Sequence, residues 1–195
     1  MKESDSGQEE ARRPQKKKTQ KSNKKVNVRW AITILGWSFV LTMVFTVVSD
    51  YALNGVGYVV AFLVLGAFIL LGILFDILGV AATAAAEAPF HAMASRRVPG
   101  AKEAIWLTRN AEKVGSFCND VVGDISGIIS GSTAAVIIAR LRTDFPGGAI
   151  AFPLIVTGLV AGLTVGGKAL GKGIAIGNSN KIVFTAGRFL HLFKR

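Results

Sequence analysis

Four long apolar runs limit what this chain can become. Residues 30–49, 56–75 and 149–165 carry no charge, and 115–139 holds only Asp120 and Asp124. About twenty helical residues cross one hydrocarbon layer. Inside lipid only helices and closed barrels satisfy the backbone, and these runs lack the alternation of barrel strands. The chain therefore reads as an all-α integral membrane protein, with about four transmembrane helices and short amphipathic cytoplasmic helices. A mean hydropathy of +0.46 coexists with a net charge of +11. The two agree because the charges lie between the runs, 10 of the 23 Lys and Arg preceding Trp30.

Three regions follow. Residues 1–29 form a basic cytoplasmic tail with almost nothing to bury, expected to be disordered. Lys16, Lys17, Lys18, Lys24 and Lys25 would draw it to anionic lipid headgroups at roughly 1 kcal/mol per basic residue. No aromatic residues interleave the charges as stacking platforms, so nucleic acid is not an expected partner. Residues 30–177 form the transmembrane domain. Its first run is read as a retained span, because the basic region before it is too long for a signal peptide; Trp30 suits the interface. Residues 178–195 are expected to form an amphipathic cytoplasmic segment.

The second run keeps a helical pattern to about residue 86, longer than a perpendicular span needs, so tilt or a kink is expected. Asp76 and Glu87 are eleven apart, which would place them on one helical face. Gly79 and the small series around Thr83 make a slim packing surface, and Pro89 favours a break. Pro99-Gly100 signals a turn. Residues 101–114 then read as an amphipathic helix resting Ile105, Trp106 and Leu107 on the membrane surface.

The third run holds the chemistry. Asp120 and Asp124 share a helical face, Gly123, Gly127 and Gly131 form a four-residue ladder, and Ser126 and Ser130 another. Small residues at this spacing permit close helix approach, and carboxylates at this depth suggest an ion site or pathway. The fourth run repeats the ladder at Gly158, Gly162 and Gly166, so the last two spans are expected to cross closely. Lys168 and Lys172 end that run in residues 167–175, which lack the spacing of a phosphate-binding loop. His91 and His191 read as interfacial polar residues. Cys118 has no partner for a disulfide. No catalytic triad, zinc spacing or cofactor fingerprint is visible, and an enzyme is not expected.

With the N-terminus inside, the three internal segments hold 10, 5 and 6 basic residues and the external loops only Arg140 and Arg142. The positive-inside rule thus predicts a multi-pass cell-membrane protein with both termini cytoplasmic.

From Gly79 onward the layout resembles the transmembrane domain of the CNNM/CorB/CorC magnesium and cobalt transport family, with residues 30–49 as an added first span. The family's Ser-Gly-Ser-Glu-x-Ala aligns with Ala84-Ala85-Ala86-Glu87-Ala88. A basic stretch follows, here Arg96-Arg97 and Ala101-Lys102. The family's Gly-Asn, with a second Asn four residues on, aligns with Gly123-Asp124 and Ile128. Its Glu-x-x-Pro-Lys-x-x-Ala aligns with Lys168 to Ala175, where Lys172 and Ala175 fit. The regulatory CBS pair is not expected here.

The resemblance implies binding or transport of Mg²⁺ or a related divalent cation, and a homodimer. Asp124 would be the chief ligand, with Glu87 and Asp120 as nearby acids and Thr83 and Ser126 as secondary oxygens, since magnesium takes hard oxygen ligands. The family's ligating Glu is Lys168 in this chain. A second reading therefore stands beside the first. In it the Lys168 ammonium fills the old ion site, paired with Asp124 or Glu87, and the protein is a non-conducting structural or accessory relative.

Overall fold

The computed structural model describes residues 28–148 and 150–193. The basic tail expected to meet anionic lipid, residues 1–27, lies outside them, as does the Trp30 side chain. Among the described residues every regular element is helical. They are α1 (Val28–Leu53), α2 (Tyr58–Ala84), α3 (Ala88–Ser95), α4 (Ala101–Arg109), α5 (Ala111–Ser116), a π-helical stretch (Phe117–Gly123), α6 (Asp124–Asp144), α7 (Ala151–Gly177) and α8 (Ser179–Phe193). Four stretches are long and apolar enough to cross a membrane: Ile32–Leu53, Tyr58–Ala84, Ala111–Asp144 and Ala151–Gly177. This is an all-α, multi-pass membrane protein.

The boundaries differ from expectation in three places. The second span stops at Ala84, where Ala85 takes an extended conformation; Pro89 then sits in the first turn of α3, where its missing N–H costs nothing. Glu87 is thus off the helix that carries Asp76, and the two share no face. The amphipathic helix ends at Arg109, and the third span begins already at Ala111, with α5, the π stretch and α6 running on as one continuous segment. The fourth span does not end near Val165. Residues 167–175 continue α7 to Gly177, which sets Lys168 and Lys172 inside a helix.

α2 is the central element, packed against α7 on one side and the third span on the other. Glycines set both registers. Ser126 lies against Gly72 and Asn119 against Gly79, so α2 and the third span run antiparallel. Gly167 meets Ile73 and Gly171 meets Ile77, so α2 and α7 run parallel. Of the ladders singled out from sequence, Gly123 is at these contacts, its carbonyl oxygen 3.6 Å from where a β-carbon on Gly72 would be, but the others are not: a β-carbon at Gly127, Gly131, Gly158, Gly162 or Gly166 would meet nothing within 4 Å. The two last spans pack instead through Ala134, Ile137 and Ile138 against Val156 and Val160.

The apolar core falls into separate parts. Leu53, Ala61, Leu65, Ile69, Ala134, Ile137 and Val156 fill the end near Tyr58. At the other end Ala81, Ala82 and Ala175 join Phe90, Ala104, Leu107 and Val183, so that α3, α4 and α8 form a plate across the bundle. Gly100, with a positive φ of 88°, lets the chain turn into α4, and α8 crosses so closely there that a β-carbon would strike Arg188. Leu107 is buried beneath α8 rather than resting on the membrane, while Trp106 remains exposed. The first span is held by Ile34, Leu41 and Phe45 against Val121, Ile125 and Ile129.

Candidate functional site

Between the two ends of the bundle the apolar core is interrupted. Asp76 on α2 is 6% exposed, and among the described residues the cation beside it is the Lys168 ammonium of α7, 4.0 Å from Oδ1. That distance is too long for a hydrogen bond. Lys168 Nζ also lies 3.5 Å from where a β-carbon on Gly123 would be, so the absence of that carbon opens its seat. Asp76, Gly123 and Lys168 thus bring three spans together.

Around this pair lie buried oxygens without hydrogen-bond partners among the described residues: Asp76 Oδ2, Asn119 Oδ1, Ser126 Oγ and Thr164 Oγ1. Burying such groups unpaired costs on the order of 1–3 kcal/mol each. By the helix registers, Thr164 and Ser126 stand above Asp76 and Asn119 below it. Together they form a column about 14 Å tall at 1.5 Å per residue. The π stretch, with hydrogen bonds to the fifth residue, rotates Asn119 relative to Ser126 and leaves both directed at α2; single-turn π segments recur at functional sites.

The chemistry of the column is specific. It offers one carboxylate, one carboxamide and two hydroxyls, all hard oxygen donors, with one ammonium as counter-charge. Mg²⁺ is commonly held by one or two carboxylates while keeping several waters, and the donor set fits that pattern. Among the described residues no group of three His, Cys, Asp or Glu able to hold a metal ion occurs.

Of the five residues proposed from sequence, only Ser126 belongs to this column. Asp124 is exposed on the outer surface of α6. Asp120 is exposed too, accepting a hydrogen bond from Ser116 Oγ at 2.6 Å. Thr83 donates to the Val80 carbonyl of its own helix. Glu87 lies on the plate, accepting from Arg109 Nε at 2.6 Å and meeting His91 Nε2 at 2.7 Å. The Arg109 hydrogen bond, then that of His91, holds the Glu87 carboxyl below the usual carboxylate range. Lys168 pairs with neither Asp124 nor Glu87, its expected partners, but with Asp76.

Sequence reasoning assigned no role to Asn119, Thr164 or the Asp76 site. Asp76 did carry a signal, as the lone charge interrupting an apolar pattern. Asn119 and Thr164 carried none, since neutral polar residues are ordinary in such helices. Comparison with known proteins finds no matching family model, no similar curated protein and no similar solved structure.

Proposed function

We propose that this protein is a small cell-membrane protein, both termini cytoplasmic, that binds and moves Mg²⁺ or a related divalent cation along the Asp76 column. The observation supporting this reading is the set of unpartnered buried oxygens contributed by three spans. Asp76 is the chief ligand, Asn119 and Ser126 are neutral oxygen ligands on either side, and Thr164 continues the path. Lys168 is the built-in competitor. Its side chain is 25% exposed, so it can swing aside when a dication takes its place beside the carboxylate. The resemblance in layout to the CNNM/CorC domain supports the same substrate class. No catalytic role is assigned.

One observation favours a second reading. Asp76 and Lys168 already neutralise each other, and a neutral site attracts a dication weakly. On this reading Lys168 fills the site permanently and the protein is a non-conducting accessory of the membrane.

Melting of the purified protein in detergent across a Mg²⁺ series separates the two. Transport predicts a rising melting temperature, lost in Asp76→Asn and strengthened in Lys168→Ala. No Mg²⁺ dependence in either the wild type or Lys168→Ala would overturn the cation reading and leave the second.

A further inference from the structure

Beneath the plate, on a side of α2 that the Asp76 column does not use, lies a cavity of about 680 Å³. Its walls are apolar: Phe75 and Leu78 of α2, Phe117 of the π stretch, Trp106 of α4, and Phe189 and Leu190 of α8. α8 forms the roof. Its Gly187 approaches the Gly100 carbonyl and Ala104 so closely that this edge is pinned to α4. The neighbouring stripe Ala186, Phe189, Leu190 and Phe193 has helical spacing and lines this cavity and its continuation past Trp106. Phe189, Leu190 and Phe193 remain exposed.

The polar groups are confined to one end. Asn110 and Lys113 complete the lining, and among the described residues lining the cavity Lys113 carries the charge. Gly115 lies against Thr83, so Lys113, two residues earlier on an antiparallel segment, is level with Ala85, where α2 has ended. Phe75 lies about 15 Å deeper at 1.5 Å per residue along α2. One leaflet is half of a hydrocarbon core of about 30 Å, which is the same depth. Beyond Trp106 and Leu190 a second cavity of about 510 Å³ carries Lys102 and Glu103, and the Glu103 carboxylate there meets His191 Nδ1 at 3.1 Å.

We propose that this cavity holds one anionic phospholipid of the leaflet on the plate side. An acyl chain fills the apolar shaft from Phe117 down to Phe75, and the phosphate sits at the mouth beside Lys113. Lys102 adds positive charge along the continuation. The size is that of a small-molecule site, and the polarity runs in the sense of a lipid, charged at the surface and apolar below. The chain's own basic tail does not suit it, because like charges would meet at the mouth. A zwitterionic lipid fits the shaft but offers Lys113 no net charge. The site is therefore separate from any attraction of residues 1–27 to anionic headgroups.

Trp106 lines both cavities and reports on their contents. The full chain, with Trp30→Phe and Trp37→Phe so that Trp106 alone fluoresces, is reconstituted in phosphatidylcholine vesicles. A minor fraction of phosphatidylglycerol or of phosphatidylcholine, brominated on the acyl chains, is then titrated in, since bromine quenches indole on contact. Brominated phosphatidylglycerol is expected to quench at a roughly fivefold lower mole fraction, the factor that one basic residue near the lipid surface supplies. Lys113→Gln, at an exposed position, should make the two lipids equally potent. Ala186→Phe, which fills the shaft from α8, should abolish the preference as well. Replacing Lys16, Lys17, Lys18, Lys24 and Lys25 together by Gln should leave it intact. Helical circular dichroism confirms that each variant is folded. Equal quenching by the two lipids in the otherwise native chain would mean that Trp106 meets only unselected surrounding lipid, and would overturn the site. So would a preference that survives Lys113→Gln or a folded Ala186→Phe, or one that disappears with the charges of the tail.

Discussion

Asp76 and Lys168 carry opposite charges at a separation where attraction outlasts any hydrogen bond. Removing either member leaves the other uncompensated in an apolar setting, which typically costs 3–5 kcal/mol for a buried pair. Asp76 is the more buried of the two. Lys168→Ala therefore strands the worse-placed charge and is expected to cost about 3 kcal/mol, while Asp76→Ala costs less because the Lys168 side chain is already the more exposed of the two. The double replacement should cost less than the sum. Equilibrium unfolding in mixed micelles measures all three, and strict additivity would show that the two charges do not sense each other. Asp76 was legible in the sequence as a charge within an apolar run, but its partner was not. Pairing requires knowing that α2 and α7 run parallel with Gly171 beside Ile77, a register that no local pattern encodes. Asp124 drew attention for the opposite reason: it sits among glycines and serines that resemble a site in sequence, yet it faces outward in space while Ser126 and Ser130 are buried.

At the scale of elements, glycines decide which helices touch and which merely neighbour. Gly79 faces the Asn119 carboxamide so closely that even one added carbon overlaps it. Gly79→Ala is expected to push Asn119 out of the column and to destabilise the fold by about 1–3 kcal/mol, as overpacking does. Gly127→Ala, on the open face, should cost the isolated protomer almost nothing. Paired thermal melts compare the two, and equal losses would contradict the register. The four spans were readable because each needs only length and hydropathy. Their ends were not, since glycines and lysines in residues 167–175 weaken the apolar signal while leaving the helix intact once α2 covers one side. The plate has its own electrostatics. Glu87 anchors the start of α3 to Arg109 of α4, and its carboxyl titrates below its unfolded value. A lowered folded pKa means that the anchor is fully present above the ordinary carboxylate range and is lost as pH falls through the folded value. Protection of the α3 amides, taken relative to their intrinsic exchange rate at each pH, is therefore expected to fall on acidification, and Glu87→Gln should show the lower protection already at neutral pH with little further change. An α3 exchange rate equal in the two proteins at neutral pH would remove Glu87 from that role.

For the whole molecule the decisive asymmetry is between its two ends. One end is closed by short connections, with Arg140 donating to the Leu53 and Val56 carbonyls and Tyr58 donating to Asp144. The other end carries α3, α4 and α8, and with them Arg96, Arg97, Lys102, Lys181 and Arg188, all exposed. Basic residues near span ends remain on the cytoplasmic side, so the plate is expected to face the cytoplasm and the Arg140 end the exterior. The Asp76 column, nearer the Ala84 end of α2, then lies in the inner half of the bilayer, a few turns from the plate. Single cysteines in a Cys118→Ser background locate each end. Tyr51→Cys, beside the α1–α2 connection, should react with a membrane-impermeant maleimide on intact cells, whereas Ala92→Cys on α3 should react only after permeabilisation. The reverse pattern would set 21 of the 23 Lys and Arg outside and require a cation to reach Asp76 from the exterior through the plate. The labelling result therefore decides from which side a cation, or the lysine that rivals it, meets the buried carboxylate.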